Sequence, residues 1–241
     1  MLSIVCPVYN EADNIQRLFD CLRENIAILS EVLVVYDRDD DTTIPVVQRI
    51  ATSYPFEVRL TKNRYGRGAL NAIKTGFGEA RYEAVLVVMA DLSDDLSVAN
   101  KMYELITEKG FDIVCGARYM PGGRQVGGPF LKRNFSRFAG LSLHHFAGVP
   151  THDVTNSFKM YRRDFLRSVE IESDGGFEIG MELVVKAFVS GNRITEVPST
   201  WTDRVTGKSR FRMWKWIPKY LKWYFYAFRI PRTRKSRADA S

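Results

Sequence analysis

The sequence predicts an α/β sandwich: a mostly parallel central sheet with helices on both faces. Three observations carry that prediction. Short runs of apolar, largely β-branched residues alternate with segments whose apolar residues recur at helical spacing, the pattern of parallel strands joined by helices. The runs are apolar throughout instead of alternating with polar residues, as strands covered on both faces must be. Several runs also stop abruptly at carboxylates, most plainly Ala84–Asp91, which puts acidic groups where open α/β sheets place their ligands.

Residues 2–8 read as the first strand, closed by a turn around Pro7. A helix follows with Ile15, Leu18, Phe19, Leu22, Ile26 and Leu29 on one face. Residues 31–36 form the second strand, and Ile44, Val47 and Ile50 mark a short helix. The third strand spans 56–60, and Leu70, Ile73 and Phe77 define the helix after it. The strand at 84–90 comes next, then a helix carrying Leu96, Ala99, Tyr103 and Ile106, then a strand at 112–116. Strict alternation of this kind implies parallel pairing. The second half is less regular, with a helix near 131–147, a strand near 157–161, a helix near 177–190 and a strand at 193–198.

With 241 residues, 45% of them hydrophobic, the chain can bury a full core as one domain, and no Gly/Ser- or Pro-rich linker divides it. Cys6, Cys21 and Cys115 lie in apolar segments without CxxC spacing, which suits small buried hydrophobes in a reducing compartment better than a disulfide or zinc site. The N-terminus lacks the basic lead and long apolar run of a signal peptide. No stretch of about 18 uncharged apolar residues exists to span a bilayer. The net charge of +7 is unevenly placed. Residues 204–237 hold twelve Lys and Arg and no Asp or Glu, leaving 23 basic against 28 acidic residues elsewhere. A mildly acidic globule with one strongly basic end points to an anionic partner: a membrane surface, a phosphate-bearing substrate or nucleic acid.

Asp91, with Asp94 and Asp95 close behind, has two readings. Carboxylates at a strand end can hold a divalent cation and through it a nucleotide diphosphate; alternatively Ser93 or Asp94 caps the next helix. Gly66-Arg-Gly68 is not a dinucleotide fingerprint, because the third glycine is absent and it follows the third strand. It reads instead as a basic loop, residues 62–68, which either contacts phosphate or base at a helix N-terminus or is a solvated turn.

Three strand ends then carry a resemblance: Val5-Cys-Pro7-Val-Tyr9-Asn-Glu11, Val34-Val-Tyr-Asp37-Arg-Asp39-Asp-Asp41 and Met89-Ala-Asp91. Together with Gly116-Ala-Arg118-Tyr119, His152-Asp153-Val-Thr-Asn-Ser-Phe158, Gly176-Phe-Glu-Ile-Gly-Met-Glu182 and Asp203-Arg204-Val-Thr-Gly207-Lys-Ser209-Arg210, they resemble the inverting glycosyltransferases of family 2. The resemblance runs from Ser3 to about Phe211 and is strongest to the dolichol- and polyprenyl-phosphate sugar synthases. It implies the GT-A nucleotide-sugar-binding fold over 1–210; the residue pattern by itself adds an amphipathic helix at 211–230 and a disordered basic tail at 231–241.

The resemblance also implies roles. Pro7, Tyr9 and Glu11 line the nucleotide pocket; Asp37 reads base or ribose; Ala90 and Asp91 belong to the DXD-type element. Arg64 and Gly68 of the basic loop join the nucleotide-sugar set. Asp91, with Ser93, holds Mg²⁺ or Mn²⁺ against the diphosphate. Arg118 lies near the transferred sugar or acceptor phosphate. Lys132 and Ser136, four apart on one helical face, bind acceptor phosphate. Arg204, Ser209 and Arg210 fall in an acceptor loop where Arg204 approaches the diphosphate, so Asp91, Arg118 and Arg204 form the catalytic set. Two departures stand out: the second-strand pair is Tyr36-Asp37 instead of two Asp, and in the DXD element Met89 replaces the first Asp while Ser93 replaces an acidic or amide ligand. Asp94 compensates, or the ion rests on Asp91, diphosphate and water, or metal dependence is weak.

Inverting transfer must neutralise a departing nucleoside diphosphate and hold the acceptor in line. A phosphate monoester, with a second pKa of about 6, is already largely a dianion at neutral pH and needs cations to position it more than a base to deprotonate it. Arg118, Lys132 and Arg210 are the candidates, with Asp153 and Glu182 as structural partners for those cations. In residues 211–230, Trp214, Ile217, Leu221, Phe225 and Phe228 fall on one helical stripe and Lys215, Lys219 and Lys222 on another. The segment either lies in a membrane interface, attracted to anionic lipid, or packs on the domain; nothing else in the chain supports nucleic-acid binding. The expected function is transfer of one sugar, GDP-mannose favoured as donor, from a GDP- or UDP-linked nucleotide-sugar to a polyprenyl or dolichyl phosphate, by a protein peripherally bound to the cytoplasmic membrane face. An integral-membrane partner is compatible with this, since family members often carry transmembrane hairpins beyond this point. The alternatives are a family 2 transferase with a saccharide or other non-lipid acceptor, which needs a general base at Asp153 or Glu182, and a non-catalytic nucleotide-sugar-binding scaffold.

Overall fold

The computed structural model describes residues 1–203 and 213–229. In chain order the elements are β1 (Leu2–Val8), α1 (Ile15–Asn25), β2 (Leu29–Tyr36), α2 (Thr43–Ile50), β3 (Glu57–Lys62), α3 (Ala69–Glu79), β4 (Ala84–Val87) and α4 (Ala99–Thr107). Then come β5 (Ile113–Ala117), β6 (Arg124–Val126), α5 (Phe130–Ser142), β7 (Lys159–Arg162), α6 (Arg163–Ser168), α7 (Ile179–Ser190), β8 (Ile194–Pro198), β9 (Thr200–Thr202) and α8 (Met213–Tyr226). Seven strands form the main sheet in the order β3-β2-β1-β4-β7-β5-β8, and β6 pairs with β9 apart from it.

Alternation along each strand sorts side chains to the two faces. Leu2, Ile4, Cys6 and Val8 of β1 join Val32 and Val34 of β2 in one core with α1, α2 and α4. Val5 joins Leu33, Val35, Val85 and Val87 in the other, with α3, α7 and α8. Helix α3 lies so close to β1 that a Cβ at Gly76 would stand 2.3 Å from Val5 Cγ1, so only glycine fits there.

The parallel prediction holds for every main-sheet pairing except those of β7, which runs antiparallel to both β4 and β5. An apolar run specifies burial but not direction; β7 enters from the loop after α5 and therefore crosses the sheet the other way. The strand expected at 84–90 ends at Val87. Val88 still donates its amide to the Val5 carbonyl at 3.0 Å, and the chain then leaves the sheet through Leu92 at φ +59°. That early exit carries Met89–Asp94 above the sheet's carboxyl edge.

Candidate active site

Strands β2, β1 and β4 are neighbours, so their ends bring Asp37, the Pro7–Glu11 turn and Asp91 to one edge. Pro7 is tolerated in a central strand for a geometric reason. In a parallel sheet alternate residues bond to opposite neighbours, and Val5 faces β4. Pro7 faces the same side, but β4 has already ended at the level of Val5, so the missing amide costs no ladder bond. Beyond it Asn10 adopts φ +56°, and both carboxylate oxygens of buried Asp41 accept its amide at 3.1 Å. Asp41 also takes the Thr43 amide at 2.9 Å, while Thr43 Oγ1 accepts the Glu11 amide at 2.9 Å. The turn is thus clamped to the start of α2, and Glu11 holds Asn14 Nδ2 at 2.8 Å while Tyr9 stays exposed. Asp41 was not singled out from sequence; its position in an acidic run hid a buried anchor.

Asp37 ties the basic loop to the strand end. Its carboxylate accepts Asn63 Nδ2 at 2.8 Å and the Gly68 amide at 2.9 Å. Gly68 takes φ +116°, a conformation glycine alone adopts freely. Gly68 is therefore brought to the site, but Arg64 is not: its guanidinium pairs with Glu79 at 2.6 Å, along α3 and away from Asp91.

Ala90 is buried, and Asp91 Oδ1 accepts the Ser93 amide at 3.2 Å. Burial, and then the negative charge of Asp91, push the Asp94 carboxyl up to about 7. Ser93 Oγ is buried and has no hydrogen-bond partner. Two mutually repelling carboxylates beside an unsatisfied hydroxyl are hard oxygen donors that a divalent cation would reconcile, so the residues present fit such an ion. Among the described residues no group of three His, Cys, Asp or Glu forms a closed metal cage. That suits Mg²⁺, which is commonly held by one or two carboxylates plus substrate phosphate.

Arg118 leaves the end of β5 and is almost fully enclosed. Its Nε reaches Asp153 Oδ2 at 2.6 Å and its Nη2 reaches Asp153 Oδ1 at 2.9 Å, a bidentate pair with a carboxylate 0% exposed. Burial raises the Asp153 pKa, but Arg118 more than offsets it and holds the group below the usual carboxylate range. Arg118 Nη2 also donates to Ser136 Oγ at 3.0 Å and Thr155 Oγ1 at 3.1 Å. The Tyr119 phenol completes the group by donating to Ser136 at 3.0 Å, with the guanidinium 4.8 Å from its ring. Lys132, one turn before Ser136 on α5, faces the same space.

That space is a cavity of about 500 Å³. Its polar lining includes Asp91, Arg118, Lys132, Ser136 and Thr155. Its apolar lining includes Phe135, Phe138 and Ala139 of α5, Phe177 and Met181, and Ile217, Tyr220, Leu221, Tyr224 and Phe225 of α8. Helix α5 contributes to both sets.

Helix α8 packs on the domain. Trp223 is 1% exposed and donates Nε1–H to Ser173 Oγ at 3.1 Å. Lys219 and Lys222 pair with Asp174 and Glu172 at 2.8 and 3.1 Å, and Tyr224 donates to Ser142 Oγ at 3.0 Å. The opposite face, Leu221, Phe225 and Phe228, is exposed, as are Phe130, Leu131, Phe135 and Phe138 of α5. The packing reading therefore describes the face that carries Trp223, Lys219 and Lys222. Among the described residues no helix is long and apolar enough to cross a membrane.

Asp153 is the expected structural partner of a site cation, but Glu182 is not. Glu182 accepts the amides of Glu172 and Ser173 at 2.6 and 2.9 Å and pairs with Lys186 at 2.9 Å. Arg204, Ser209 and Arg210 lie outside the described residues, as does the tail from 230 onward. Sequence reasoning also passed over Lys159. It is 0% exposed, burial lowers its pKa, and its ammonium donates to the carbonyls of Val154, at 3.2 Å, and Asn156. Its one signal was a lysine inside the apolar run Phe158–Tyr161.

Comparison with known proteins identifies the family and the fold. Residues 3–169 match the family described as glycosyl transferase family 2. The chain is 32% identical over 226 residues to a dolichol-phosphate mannosyltransferase of Pyrococcus furiosus, covering 92% of this chain and 62% of that protein. It therefore spans somewhat less than two thirds of that relative. It is 30% identical over 217 residues to an undecaprenyl-phosphate mannosyltransferase of Micrococcus luteus, covering 87% of this chain and 86% of the relative. Among solved structures, glucosyl-3-phosphoglycerate synthase from Mycobacterium tuberculosis, in complex with Mn²⁺, UDP and glucosyl-3-phosphoglycerate, superposes with a TM-score of 0.68 at 14% identity. That superposition covers 96% of this chain and 81% of the other and shows the shared GT-A-like α/β fold. The chain belongs to glycosyltransferase family 2.

Proposed function

We propose that this family 2 glycosyltransferase moves a single sugar, with inversion, from a nucleotide-sugar to a polyprenyl phosphate while peripherally bound at the cytoplasmic face of a membrane. GDP-mannose is the favoured donor. The observation that carries the reading is the cavity. Arg118, Lys132, Ser136 and Asp91 line it together with a large set of aromatic and aliphatic side chains. An acceptor with an anionic phosphate head and an oily tail satisfies both parts; a saccharide leaves the apolar wall uncovered by any complementary surface.

The carboxylates support the same reading. Asp153 is engaged by Arg118, and Glu182 and Glu178 are each engaged by two backbone amides. None of the three is placed to deprotonate a sugar hydroxyl, whereas a phosphate dianion needs no such base. The residues would act by position. Arg118, fixed by Asp153, and Lys132 hold the acceptor oxygen in line, and the cluster at Asp37, Gly68 and the Pro7–Glu11 turn holds the nucleotide. Mg²⁺ or Mn²⁺ held by Asp91 with Ser93 and Asp94 would neutralise charge developing on the leaving diphosphate. Phe135 and Phe138 of α5 and Leu221 and Phe225 of α8 are exposed and also line the cavity, which supports entry of the lipid from a bilayer surface, with or without an integral-membrane partner.

The test is a panel of radiolabelled GDP- and UDP-sugars incubated with the protein, Mg²⁺ and either undecaprenyl or dolichyl phosphate, scoring label that partitions into organic solvent. Transfer from GDP-mannose, abolished in Asp91→Asn, is the expected result. Organic-phase label absent from every donor, with water-soluble glycoside formed instead, would replace this reading with that of a soluble-acceptor transferase.

A further inference from the structure

Residues 153–158 cross the floor of the cavity between Arg118 and β7, and their backbone groups can be accounted for one by one. The Asn156 amide donates to Asp153 Oδ1 at 3.2 Å and the Phe158 amide to Asn156 Oδ1 at 3.4 Å. Asn156 Nδ2 pins the segment to the Gly116 carbonyl at 2.8 Å. The carbonyls of Val154 and Asn156 turn inward to the buried ammonium of Lys159. Every peptide bond here is trans, so the N–H of the following residue points opposite to each carbonyl. The amides of Thr155 and Ser157 are therefore directed away from Lys159, and both residues line the cavity. Neither amide donates a hydrogen bond to any described residue. The two outward amides flank the Asn156 amide held by Asp153 and sit next to the Arg118 guanidinium, whose Nη2 meets Thr155 Oγ1, so an anion in the cavity would meet N–H donors beside a fixed positive charge.

We propose that the Thr155 and Ser157 amides form a phosphate-oxygen subsite and that Lys159 is the positioning residue that presents them to the cavity. The identity of the phosphate as that of the acceptor rests on the function proposed above; the subsite itself requires only a phosphate oxyanion. Lys159 touches no substrate. A fully buried lysine is rare unless its donors are used, and here it spends them on two carbonyls that would otherwise be free to rotate toward the cavity and repel an anion.

The experiment is a titration of the ¹⁵N-labelled full chain with inorganic phosphate, with and without saturating GDP, following the amide resonances of Thr155 and Ser157. In the wild type both amide protons should move downfield and saturate together with the Arg118 Nε resonance, whether or not GDP is present. Lys159→Arg should preserve the response. Lys159→Met should abolish it at both amides and weaken phosphate binding about tenfold, while the Arg118 response persists. In the transfer assay the same variant should raise the KM for lipid phosphate and leave the donor KM unchanged, a split that a general loss of folding would not produce. Silent Thr155 and Ser157 amides in the wild type at phosphate concentrations that saturate Arg118 would overturn the proposal whatever the fate of the variants. So would movement of both amides with GDP alone, which would assign them to the donor. Responsive amides in a protein that transfers nothing to any lipid phosphate would leave the subsite standing and remove the acceptor reading instead.

Discussion

Replacing Asp153 with Asn should be the most informative single change in this protein, because it separates the charge of the Arg118 anchor from its shape. The Asp153 carboxylate receives five hydrogen bonds: the Arg118 amide, Nε and Nη2, the Thr155 hydroxyl and the Asn156 amide. Asparagine is nearly isosteric but turns one of the two acceptor oxygens into a donor facing other donors. It also leaves Arg118, whose side chain is only 10% exposed, without a counter-charge. Breaking one partner of a buried pair costs about 3–5 kcal/mol, which for a domain of this size lowers Tm by roughly 10 °C. The pH dependence has a definite sign. The folded pKa of Asp153 lies below its unfolded value of about 3.9, so its contribution is fully present above that pH and is lost as pH falls through the depressed folded value. Thermal unfolding should therefore show the full gap between wild type and Asp153→Asn at pH 6–7 and a shrinking gap toward pH 3. The double variant R118M/D153N, which removes both members of the pair, should recover part of the lost Tm while remaining unable to transfer sugar. Equal Tm values for wild type and Asp153→Asn at pH 7, or a double variant no more stable than Asp153→Asn, would refute the claim that this pair is electrostatically held.

Other consequences are open to direct measurement. Trp223→Ala removes the fully buried side chain that seats α8 and should cost about 3–5 kcal/mol in chemical denaturation. Replacing Leu221, Phe225 and Phe228 together with Ser should change stability by no more than about 0.5 kcal/mol per site, because all three are exposed. The same triple variant should lose flotation with anionic liposomes, and unchanged flotation would remove these residues from the membrane-facing surface. Gly140→Ala would place a Cβ 2.1 Å from the His152 carbonyl oxygen, forcing α5 off the segment that carries Asp153. A destabilisation of about 1–3 kcal/mol is expected, with a raised KM for lipid phosphate, checked by denaturation and by steady-state kinetics. Chelation with EDTA should suppress transfer in the wild type and be reversed by Mg²⁺ or Mn²⁺, and Ser93→Ala should raise the metal concentration needed for half-maximal rate.

What the sequence disclosed of this site follows from which physical signals are local. An apolar run that ends in a carboxylate is readable without any tertiary knowledge, and so Asp37 and Asp91 are legible as strand-end groups; the fold sets them on the two strands that flank β1. Lys132 and Ser136 were paired by helical spacing alone, and the structure brings them to one cavity. Direction of pairing is not local, so the sequence carries no mark of the reversal at β7 within a mostly parallel sheet. Nor is the choice of which face an amphipathic helix buries: α8 buries Trp223 and pairs Lys219 and Lys222 with Asp174 and Glu172, while Phe225 stays exposed. Arg64 shows the same limit from the other side, since a basic residue in a loop near a nucleotide pocket has no local mark of the Glu79 that claims it.

Lys159 marks the deepest limit. Within Phe158–Tyr161 a lysine reads as an interruption of a strand, and its own residue type argues for exposure. Only the fold reveals that its stem can run beneath the segment carrying Asp153 and Thr155 and that its ammonium finds two carbonyls there. Its burial and the exposure of the neighbouring amides are one fact, because a peptide that turns its oxygen toward a buried cation must turn its N–H the other way. Buried polar groups of this kind are costly unless fully satisfied. When the satisfied half faces the core and the unsatisfied half faces a cavity, the remaining donors mark where a ligand belongs. A charged residue misfitting its apolar run is thus a reason to ask which backbone groups it reorients, before it is dismissed as a break in the pattern.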